Sequence, residues 1–238
     1  MKVSLIVPAY NEEKKIAKTL EGLKKQTYAN YELIVIDNNS TDKTNEIAKK
    51  FTSTVFIEKE KGYIHAANTG AKMATGELIT FCDADSQYPE DWLEKVVAAF
   101  KLHPEAVAVY GTCSTYDASP ILNFINYYLY TWFLMLSRLL GLDNTSGFNF
   151  VMKKEGFIKV QGFDPNYQKM SPDLQLGIKL KKFGKIIFDP KIKVLSSFRR
   201  FEHGGTIKTT LFFMKSWLQI LIGKDPTISY EEYNKEIR

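Results

Sequence analysis

Residues 78–85 read LITFCDAD, an apolar run that ends in two aspartates, Asp83 and Asp85, with one residue between them. A short, uninterrupted apolar run is typical of a strand that is buried on both faces of a sheet. Two carboxylates at its end can flank a hard cation, and Mg²⁺ or Mn²⁺ bound there would keep open positions for diphosphate oxygens. Aspartate is also common in solvated turns at strand ends, so the spacing alone leaves both interpretations open.

Similar apolar runs recur through the first half of the chain and alternate with helix-like segments. This alternation predicts an α/β fold with a mostly parallel central sheet that is flanked by helices on both faces. Ligands of such sheets bind outside the carboxyl ends of the strands. The predicted strands span residues 3–7, 32–36, 55–57, 78–82 and 106–110, and the predicted helices carry residues 12–26, 47–51, 65–74 and 89–100.

Polar clusters follow three of these strands, at residues 8–12 (PAYNE), 37–39 (DNN) and 83–85 (DAD). Because the strands are predicted to be parallel, we expect the three clusters to converge on one crevice. Tyr10 could pack on a nucleobase there. Asp37 could accept hydrogen bonds from a base N–H group or from ribose hydroxyls.

Local structure offers an alternative for each of these residues. Glu12 suits the first turn of a helix, where the helix dipole stabilises a negative charge. Ser40 or Thr41 could cap the following helix, with Asp37 in the turn before it. Taken one at a time, the residues do not decide between a site and a turn.

The composition suits a globular protein and excludes some partners. The chain has 238 residues, 45% of them hydrophobic and 25% charged, with a net charge of +5. That charge is compatible with nucleotide diphosphates or acidic lipid head groups, but it lacks the concentrated basic pattern of a nucleic-acid binder. Cys82 and Cys113 form no C-x-x-C pair, and the first apolar run is too short for a signal peptide. We therefore expect a cytoplasmic protein.

The second half of the chain is less regular, and we expect it to share one core with the first. A helix is predicted to begin at Ser171-Pro172-Asp173 and to end at Gly184. Serine at the N-cap, proline next and then aspartate would by themselves make a good helix start. Further strands are predicted at residues 147–152, 186–188 and 192–195.

Two segments, residues 121–142 and 207–222, are strongly apolar. Residues 121–137 carry no charge, but they fall short of the ~20 residues of a comfortable membrane span. Their tyrosines and Trp132 suit a membrane interface, and the lysines around the second segment suit an amphipathic helix on a membrane surface. We expect peripheral contact at the inner face of the cell membrane, with burial in the core or in a homodimer, or a true membrane span, as the alternatives.

Taken together, the motifs resemble glycosyltransferase family 2. The resemblance covers roughly residues 1–112 and implies the GT-A fold and an inverting, metal-dependent hexosyltransferase that uses a UDP- or GDP-sugar. It rests on VPAYNE (7–12), VIDNNSTD (35–42), ANTG (67–70), ATGE (74–77) and FCDAD (81–85).

The resemblance also implies roles for individual residues. Asp85 would bind Mn²⁺ or Mg²⁺, and Asp83 would contact the metal or the ribose. Asn38 departs from the family, where many relatives have a second aspartate, so the preferred base stays open. The donor site implied by the motifs comprises Pro8, Ala9, Tyr10, Glu12, Asp37, Asn39, Asp83 and Ala84.

The second half resembles the family more loosely. The segments GFNF (147–150), GF (156–157) and QGFD (161–164) are similar to the region that precedes the catalytic acid of relatives. Asp173 stands where those relatives carry an acidic residue at a helix start. The resemblance thus makes Asp173 the candidate general base.

The stretch SFRRF (197–201) lies where processive relatives carry Gln-x-x-Arg-Trp, and its lack of Gln and Trp argues against a polysaccharide-extending synthase. Arg199 and Arg200 could still bind a donor or acceptor phosphate. His203 could be a further metal ligand, or simply an exposed loop histidine. The stretch DADSQYPE (83–90) also resembles the dolichyl-phosphate sugar synthases, which makes a lipid-phosphate acceptor an alternative to a hydroxyl.

We expect one GT-A domain with two halves. Residues 1–112 would bind the nucleotide sugar, residues 113–223 would bind the acceptor, and residues 224–238 would form a polar tail. A nucleotidyltransferase is one alternative, but residues 8–12 lack the Gly-rich basic loop that it would usually show. A non-catalytic nucleotide-binding module is another, and the intact carboxylates argue against it.

Overall fold

The computed structural model describes residues 1–167, 169, 171–198 and 205–227. Its strands are β1 (Val3–Ala9), β2 (Tyr31–Asp37), β3 (Val55–Ile57), β4 (Leu78–Phe81), β5 (Ala106–Thr115), β6 (Phe150–Lys153) and β7 (Lys185–Ser196). Its helices are α1 (Ile16–Lys24), α2 (Thr44–Lys49), α3 (Tyr63–Met73), α4 (Trp92–Leu102), α5 (Pro120–Leu139), α6 (Lys154–Lys159), α7 (Pro172–Leu180) and α8 (Thr206–Leu221). A 3₁₀ turn, Gly147–Asn149, precedes β6.

The strands form one sheet in the order β3-β2-β1-β4-β6-β5-β7. Neighbours pair in parallel except β6, which runs antiparallel to both β4 and β5. The predicted α/β class and mostly parallel sheet are therefore confirmed. Because β6 lies between β4 and β5, it joins the two halves of the chain within one sheet.

Helices cover both faces of the sheet, as predicted. Along β1, Val3, Leu5 and Val7 join one apolar cluster with residues of α1 and α4, whereas Ile6 joins the opposite cluster with α3. The helix α3 approaches β1 so closely that a Cβ at Gly70 would overlap the side chain of Ile6. Only glycine leaves room for this packing.

Two sequence expectations about the second half were wrong. A single strand, β7, contains residues 186–188, residues 192–195 and Pro190 between them. The register of its pairing with β5 shifts between Tyr110 and Thr112. An edge strand tolerates proline because its outer N–H groups have no ladder partner. Residues 147–149 are a 3₁₀ turn, so only the later part of the predicted strand 147–152 is extended.

Glu32 connects the start of β2 to two other segments. Its carboxylate accepts hydrogen bonds from Ser4 Oγ at 2.5 Å, from Thr75 N at 2.6 Å and from Lys2 Nζ at 3.0 Å. Burial raises the pKa of this carboxyl, but the hydrogen bonds outweigh burial and lower it to about 2. Glu32 therefore stabilises the folded state as an anion.

The helices α5 and α8 pack on each other beside the sheet. The rings of Phe133 and Trp217 lie 5.2 Å apart, and Trp217 Nε1 donates to Ser137 Oγ at 2.9 Å. In the part of the chain that the structure describes, we find no helix with the length and apolarity needed to cross a bilayer.

Candidate active site

The three polar clusters lie side by side at one edge of the sheet. Ala9 at the end of β1 pairs with Asp37 at the end of β2, and Ile6 pairs with Phe81 on the other side of β1. Adjacent strands are about 4.8 Å apart, which puts the ends of β2 and β4 roughly 10 Å from each other. The topology thus brings residues 8–12, 37–39 and 83–85 to a common edge, as expected for strands of a parallel sheet.

Hydrogen bonds fix the loop after β1 to the loop after β2. Asn11 Oδ1 accepts from Thr41 N at 2.8 Å, and Asn11 N donates to Ser40 Oγ at 3.0 Å. Glu12 N donates to Thr44 Oγ1 at 2.8 Å. These contacts hold Asn11 and Glu12 in the loop, and α1 begins at Ile16, four residues later than the predicted start at residue 12.

Asp37 is buried and shapes the turn that follows it. Its Oδ1 accepts from Ser40 N at 3.0 Å, and its Oδ2 accepts from Asn45 Nδ2 at 2.9 Å. Neither Ser40 nor Thr41 caps α2, which begins at Thr44 behind Asp42. Asp37 therefore has the role in the turn that was expected as an alternative to ligand binding. Any contact between Asp37 and a nucleoside would have to form in addition to these two hydrogen bonds.

The hydrogen bonds of Asn38 explain why this chain has asparagine where many relatives have a second aspartate. Its Nδ2 donates to the carbonyl oxygens of Glu58 and Glu60 at 3.2 and 2.6 Å, and its Oδ1 accepts from Gly62 N at 2.7 Å. Only an amide can donate and accept in this way. Aspartate here would face two carbonyl oxygens with a negative charge, so the amide holds the loop that leads into α3.

The remaining donor-site candidates differ in what they expose. The Tyr10 side chain is 41% exposed, and Asn39 is exposed with a left-handed φ of 60° that asparagine tolerates. The Pro8 side chain is half-buried. Ala9 and Ala84 are buried in the apolar cluster of β1, so a ligand could meet only their backbone.

The turn that carries Asp83 and Asp85 is held through its backbone. Thr19 Oγ1 of α1 donates to the carbonyl oxygens of Ala84 and Ser86, at 2.9 and 2.7 Å. Tyr116 OH donates to the carbonyl oxygen of Asp85 at 3.1 Å. Both aspartate side chains are half-buried on this braced turn.

The ligand set around this turn can be tested against the metal that the sequence predicts. Within residues 1–167, 169, 171–198 and 205–227, no three His, Cys, Asp or Glu side chains form a group that could hold a metal ion. Mg²⁺, however, is usually bound through one or two carboxylates, with substrate phosphates and waters completing its shell. Asp83 and Asp85 fit a metal of that kind and do not fit an all-protein cage.

Asp173 lies in the first turn of α7 and points into the protein. Ser171 is in a left-handed conformation, with φ of 62°, and its side chain makes no capping hydrogen bond, so the expected serine cap is not formed. Tyr63 OH lies 3.4 Å from Asp173 Oδ1. A Cβ built at Gly147 would lie 2.7 Å from Asp173 Oδ2, so only glycine leaves room for the carboxyl.

This packing changes the acidity of Asp173. Burial raises the pKa of its carboxyl from 3.8 to about 6, although hydrogen bonds from the backbone of Gly147 and from Tyr63 act in the opposite direction. A carboxyl with such a pKa is largely ionised at neutral pH, yet it binds a proton more readily than an exposed aspartate does. Those are the properties of a general base.

The 3₁₀ turn Gly147–Asn149 connects Asp173 to the aspartate turn. On one side, Gly147 packs on the Asp173 carboxyl. On the other side, Tyr88, which lies three residues after Asp85, donates a hydrogen bond from its OH to the carbonyl oxygen of Phe148 at 3.0 Å. Trp92 Nε1 donates to Asn149 Oδ1 at 3.0 Å and anchors the turn to α4. Asp173 and Tyr88, the latter three residues after Asp85, therefore contact the same short segment.

The sequence did not predict a polar network that lies beside the turn of residues 83–85, which we call the aspartate turn. Lys15 Nζ donates to Ser197 Oγ at 3.1 Å, and Ser197 Oγ donates to Asp117 Oδ2 at 2.7 Å. Asp117 Oδ1 also accepts from Phe198 N at 2.7 Å. No local pattern marks residues so far apart in the chain. The network holds the segment immediately before Arg199 and Arg200, which, with His203, lie outside the described residues.

A cavity of about 210 Å³ lies beside α7. It is open to solvent between α3, the loop of residues 162–167 and α7. Pro172 and Gln175, on either side of Asp173 in the sequence, both contribute to its wall. Its aromatic and charged lining includes Phe163, Tyr167, Asp164, Lys179 and Asp225.

Comparison with known proteins places the chain in a family. The model of the family described as "Glycosyl transferase family 2" matches residues 4–160. The glycosyltransferase AglE of Haloferax volcanii is 39% identical over 104 residues, which cover 40% of this chain and 34% of that protein. The glucosyl-dolichyl phosphate glucuronosyltransferase of the same organism is 26% identical over 178 residues, covering 70% of this chain and 57% of that protein. The chain thus spans less than two thirds of the length of these relatives.

Solved structures show the same fold. The mannosyltransferase PcManGT from Pyrobaculum calidifontis, in complex with GDP-Man and Mn²⁺, matches with a TM-score of 0.72 at 22% identity, over 99% of this chain and 68% of that one. TarS of S. aureus, in complex with UDP-GlcNAc, matches with a TM-score of 0.69 at 20% identity, over 100% of this chain and 70% of that one. With a family match that extends from β1 to α6 and a GT-A sheet throughout, this chain belongs to glycosyltransferase family 2.

Proposed function

We propose that the protein is an inverting glycosyltransferase that moves a sugar from a UDP- or GDP-sugar to an acceptor hydroxyl, with Asp173 as the general base. The observation that carries this proposal is the carboxyl of Asp173, whose pKa is raised to about 6 by burial. This carboxyl packs on Gly147, in the same Gly147–Asn149 turn that Tyr88, shortly after Asp85, contacts through a hydrogen bond. Names of similar proteins support the donor class, because one solved neighbour carries GDP-Man and another UDP-GlcNAc.

The donor would lie along the edge formed by the ends of β2, β1 and β4. Tyr10 and Asn39 present exposed side chains there, and the backbone of Ala9 and Ala84 lines the same edge. We expect Asp37 to contact the nucleoside through the lone pairs that its two turn hydrogen bonds leave. Asp83 and Asp85 would hold Mg²⁺ or Mn²⁺, which when bound would offset the negative charge of the diphosphate leaving group.

In the proposed reaction, the acceptor oxygen attacks the anomeric carbon from the face opposite the diphosphate. The bond between that carbon and the acceptor oxygen forms as the bond to the diphosphate oxygen breaks, and the nucleoside diphosphate leaves with the electron pair. Asp173 takes the proton of the acceptor hydroxyl. One displacement inverts the anomeric configuration.

A lipid phosphate is the second acceptor candidate. The resemblance of residues 83–90 to the dolichyl-phosphate sugar synthases favours it. The relative named glucosyl-dolichyl phosphate glucuronosyltransferase supports a lipid-linked acceptor more broadly, because its name describes a lipid phosphate that already carries a sugar. A phosphate is already anionic and needs no base, so Asp173 would then only orient the acceptor. The two acceptors therefore predict different behaviour of an Asp173 variant.

The test is a screen of UDP- and GDP-sugars with Mn²⁺ or Mg²⁺, read by thermal shift and slow donor hydrolysis. Once a donor is found, transfer is measured with hydroxyl and lipid-phosphate acceptors. Asp173→Asn should bind the donor like the wild type and lose transfer to a hydroxyl. Absence of donor hydrolysis by the wild type with any metal would favour the non-catalytic nucleotide-binding module and contradict the proposal.

A further inference from the structure

Helices α5 and α8 each expose a stripe of large apolar side chains, and we call the two stripes together the helical face. On α5 the exposed side chains recur every three or four residues, and Leu129 and Trp132 are 65% and 70% exposed. On α8 the stripe includes Leu211 and Leu218, which are also exposed. A group of exposed large apolar side chains on two helices that pack on each other marks a candidate interaction site.

The helical face is rigid rather than a loosely attached appendage. Trp217 of α8 is buried against Phe133 and Ser137 of α5. Asn123, near the start of α5, accepts a hydrogen bond from Thr115 N at 2.8 Å and so ties the helix to the end of β5. The two helices therefore present their outer stripes in a fixed arrangement.

The charges around the stripes have one sign. Residues 118–142 and 205–224 contain no aspartate or glutamate. Lys215 lies four residues after Leu211, on the same exposed side of α8, and Lys224 is exposed just beyond the end of that helix. The face therefore combines apolar side chains with cations.

The two acidic residues that directly follow these segments are engaged by cations. Asp143, which follows α5, is buried and forms ion pairs with Arg138 and Lys181. Asp225, which follows α8, pairs with Lys169 at 3.2 Å. Their charges are thus largely compensated.

We propose that the helical face docks the protein on the surface of a lipid bilayer that contains anionic lipids. Amphipathic helices with leucine and tryptophan on one side and lysines beside them lie in the interface of such membranes. Anionic head groups attract the lysines, and the apolar stripes enter the boundary with the acyl chains. A second copy of the chain fits less well, because a two-fold interface would set this face, with its lysines and no acidic residue, against itself.

Docking in this way would bring the candidate site near the membrane. Asn123 of α5 accepts a hydrogen bond from Thr115 N, and Tyr116, which follows Thr115, donates to the carbonyl oxygen of Asp85. The start of the docked helix is thus connected through residues 115–116 to the turn that carries Asp83 and Asp85. Docking itself requires neither donor nor turnover, so it can be measured even if the proposed transfer reaction is wrong.

The experiment is cosedimentation of the protein with vesicles of phosphatidylcholine, with and without phosphatidylglycerol. We expect binding to the vesicles that contain phosphatidylglycerol, and weaker binding as the salt concentration rises. The double variant Leu129→Gln/Trp132→Gln should lower the affinity at least ~10-fold, whereas Leu102→Gln, an equally exposed leucine on α4, should not. Lys215→Gln should lower affinity for anionic vesicles by about fivefold and leave binding to neutral vesicles unchanged.

Tryptophan fluorescence gives a readout that needs no variant. Trp92 and Trp217 are buried, so a blue shift on addition of vesicles would report the exposed Trp132. No binding to anionic vesicles, or equal binding by the folded double variant, would overturn the proposal. So would a dimer in light scattering that the double variant dissociates, because the face would then be a contact between two copies.

Discussion

Replacing Asp173 with asparagine should make the protein more stable and less active. The pKa of Asp173 rises from 3.8 to about 6, roughly two units, because the carboxyl is buried against Gly147. Each unit corresponds to about 1.4 kcal/mol, so keeping this group charged at pH 7 costs roughly 3 kcal/mol of folding free energy. Asparagine removes that cost but keeps an oxygen to accept from Gly147 N, and we expect a gain of about 1–3 kcal/mol.

The pH dependence gives the sign of this effect independently. A carboxyl with a raised folded-state pKa stabilises the fold fully below its unfolded value of 3.8, and that stabilisation is lost as the pH rises through about 6. The stability difference between Asp173→Asn and the wild type should therefore be large at pH 7 and shrink as the pH approaches 4. The melting temperature at pH 7 should rise by about 2–4 °C for each kcal/mol gained.

Thermal unfolding between pH 4 and 8 is the assay, together with transfer rates at pH 7. Turnover with a hydroxyl acceptor should fall by at least ~10²-fold, as expected when a general base is removed. Asp91→Asn is the control: this exposed aspartate just before α4 loses only a surface ion pair with Lys95, so both quantities should change little. If Asp173→Asn were no more stable than the wild type at pH 7, the carboxyl would not be desolvated as described; unchanged turnover would remove Asp173 from the chemistry.

Three further predictions follow from other contacts. Asp85→Ala should abolish metal-dependent donor binding in calorimetry, and tight metal-dependent binding by this variant would contradict its role as a ligand. Glu32→Gln should lower the free energy of unfolding by about 1–3 kcal/mol at pH 7, because hydrogen bonds hold the pKa of Glu32 near 2. In acid denaturation, this difference from the wild type should disappear as the pH falls from 4.5 to 2. The control Glu94→Gln, at an exposed glutamate, should show no such pH-dependent difference. Asn38→Asp should destabilise the protein by about 1–3 kcal/mol in urea unfolding, since its carboxylate would face two carbonyl oxygens, and a neutral effect would show that the loop adapts.

The strands were predictable because their signal is local. Each of β1, β2 and β4 is a short apolar run that ends in polar residues, and a buried parallel strand needs nothing more from its sequence. Helix α4 was equally clear, since its residues Trp92, Val96 and Phe100 recur at helical spacing and are all buried. The α/β class and the common edge of the polar clusters follow from these elements.

The environment of each side chain was not predictable, because it depends on residues far apart in the chain. Tyr63 and Asp173, which lie 3.4 Å apart through their oxygens, are separated by 110 positions. The cap expected at Ser171 is absent because that residue is in the left-handed conformation and its side chain makes no capping hydrogen bond. A motif can therefore nominate Asp173, but only the fold explains its acidity.

The position of α5 has an evolutionary consequence. The chain leaves the sheet after Thr115 of β5 and returns at Phe150 of β6, which pairs with Tyr110 of the same β5. Everything inserted between them starts and finishes on neighbouring strands, and lengthening such an excursion costs little closure entropy. Helix α5 could thus be exchanged for a different one while the strands that carry the aspartate turn keep their register. The surface that the helix presents would then diversify without any change in the strands that carry the candidate donor site.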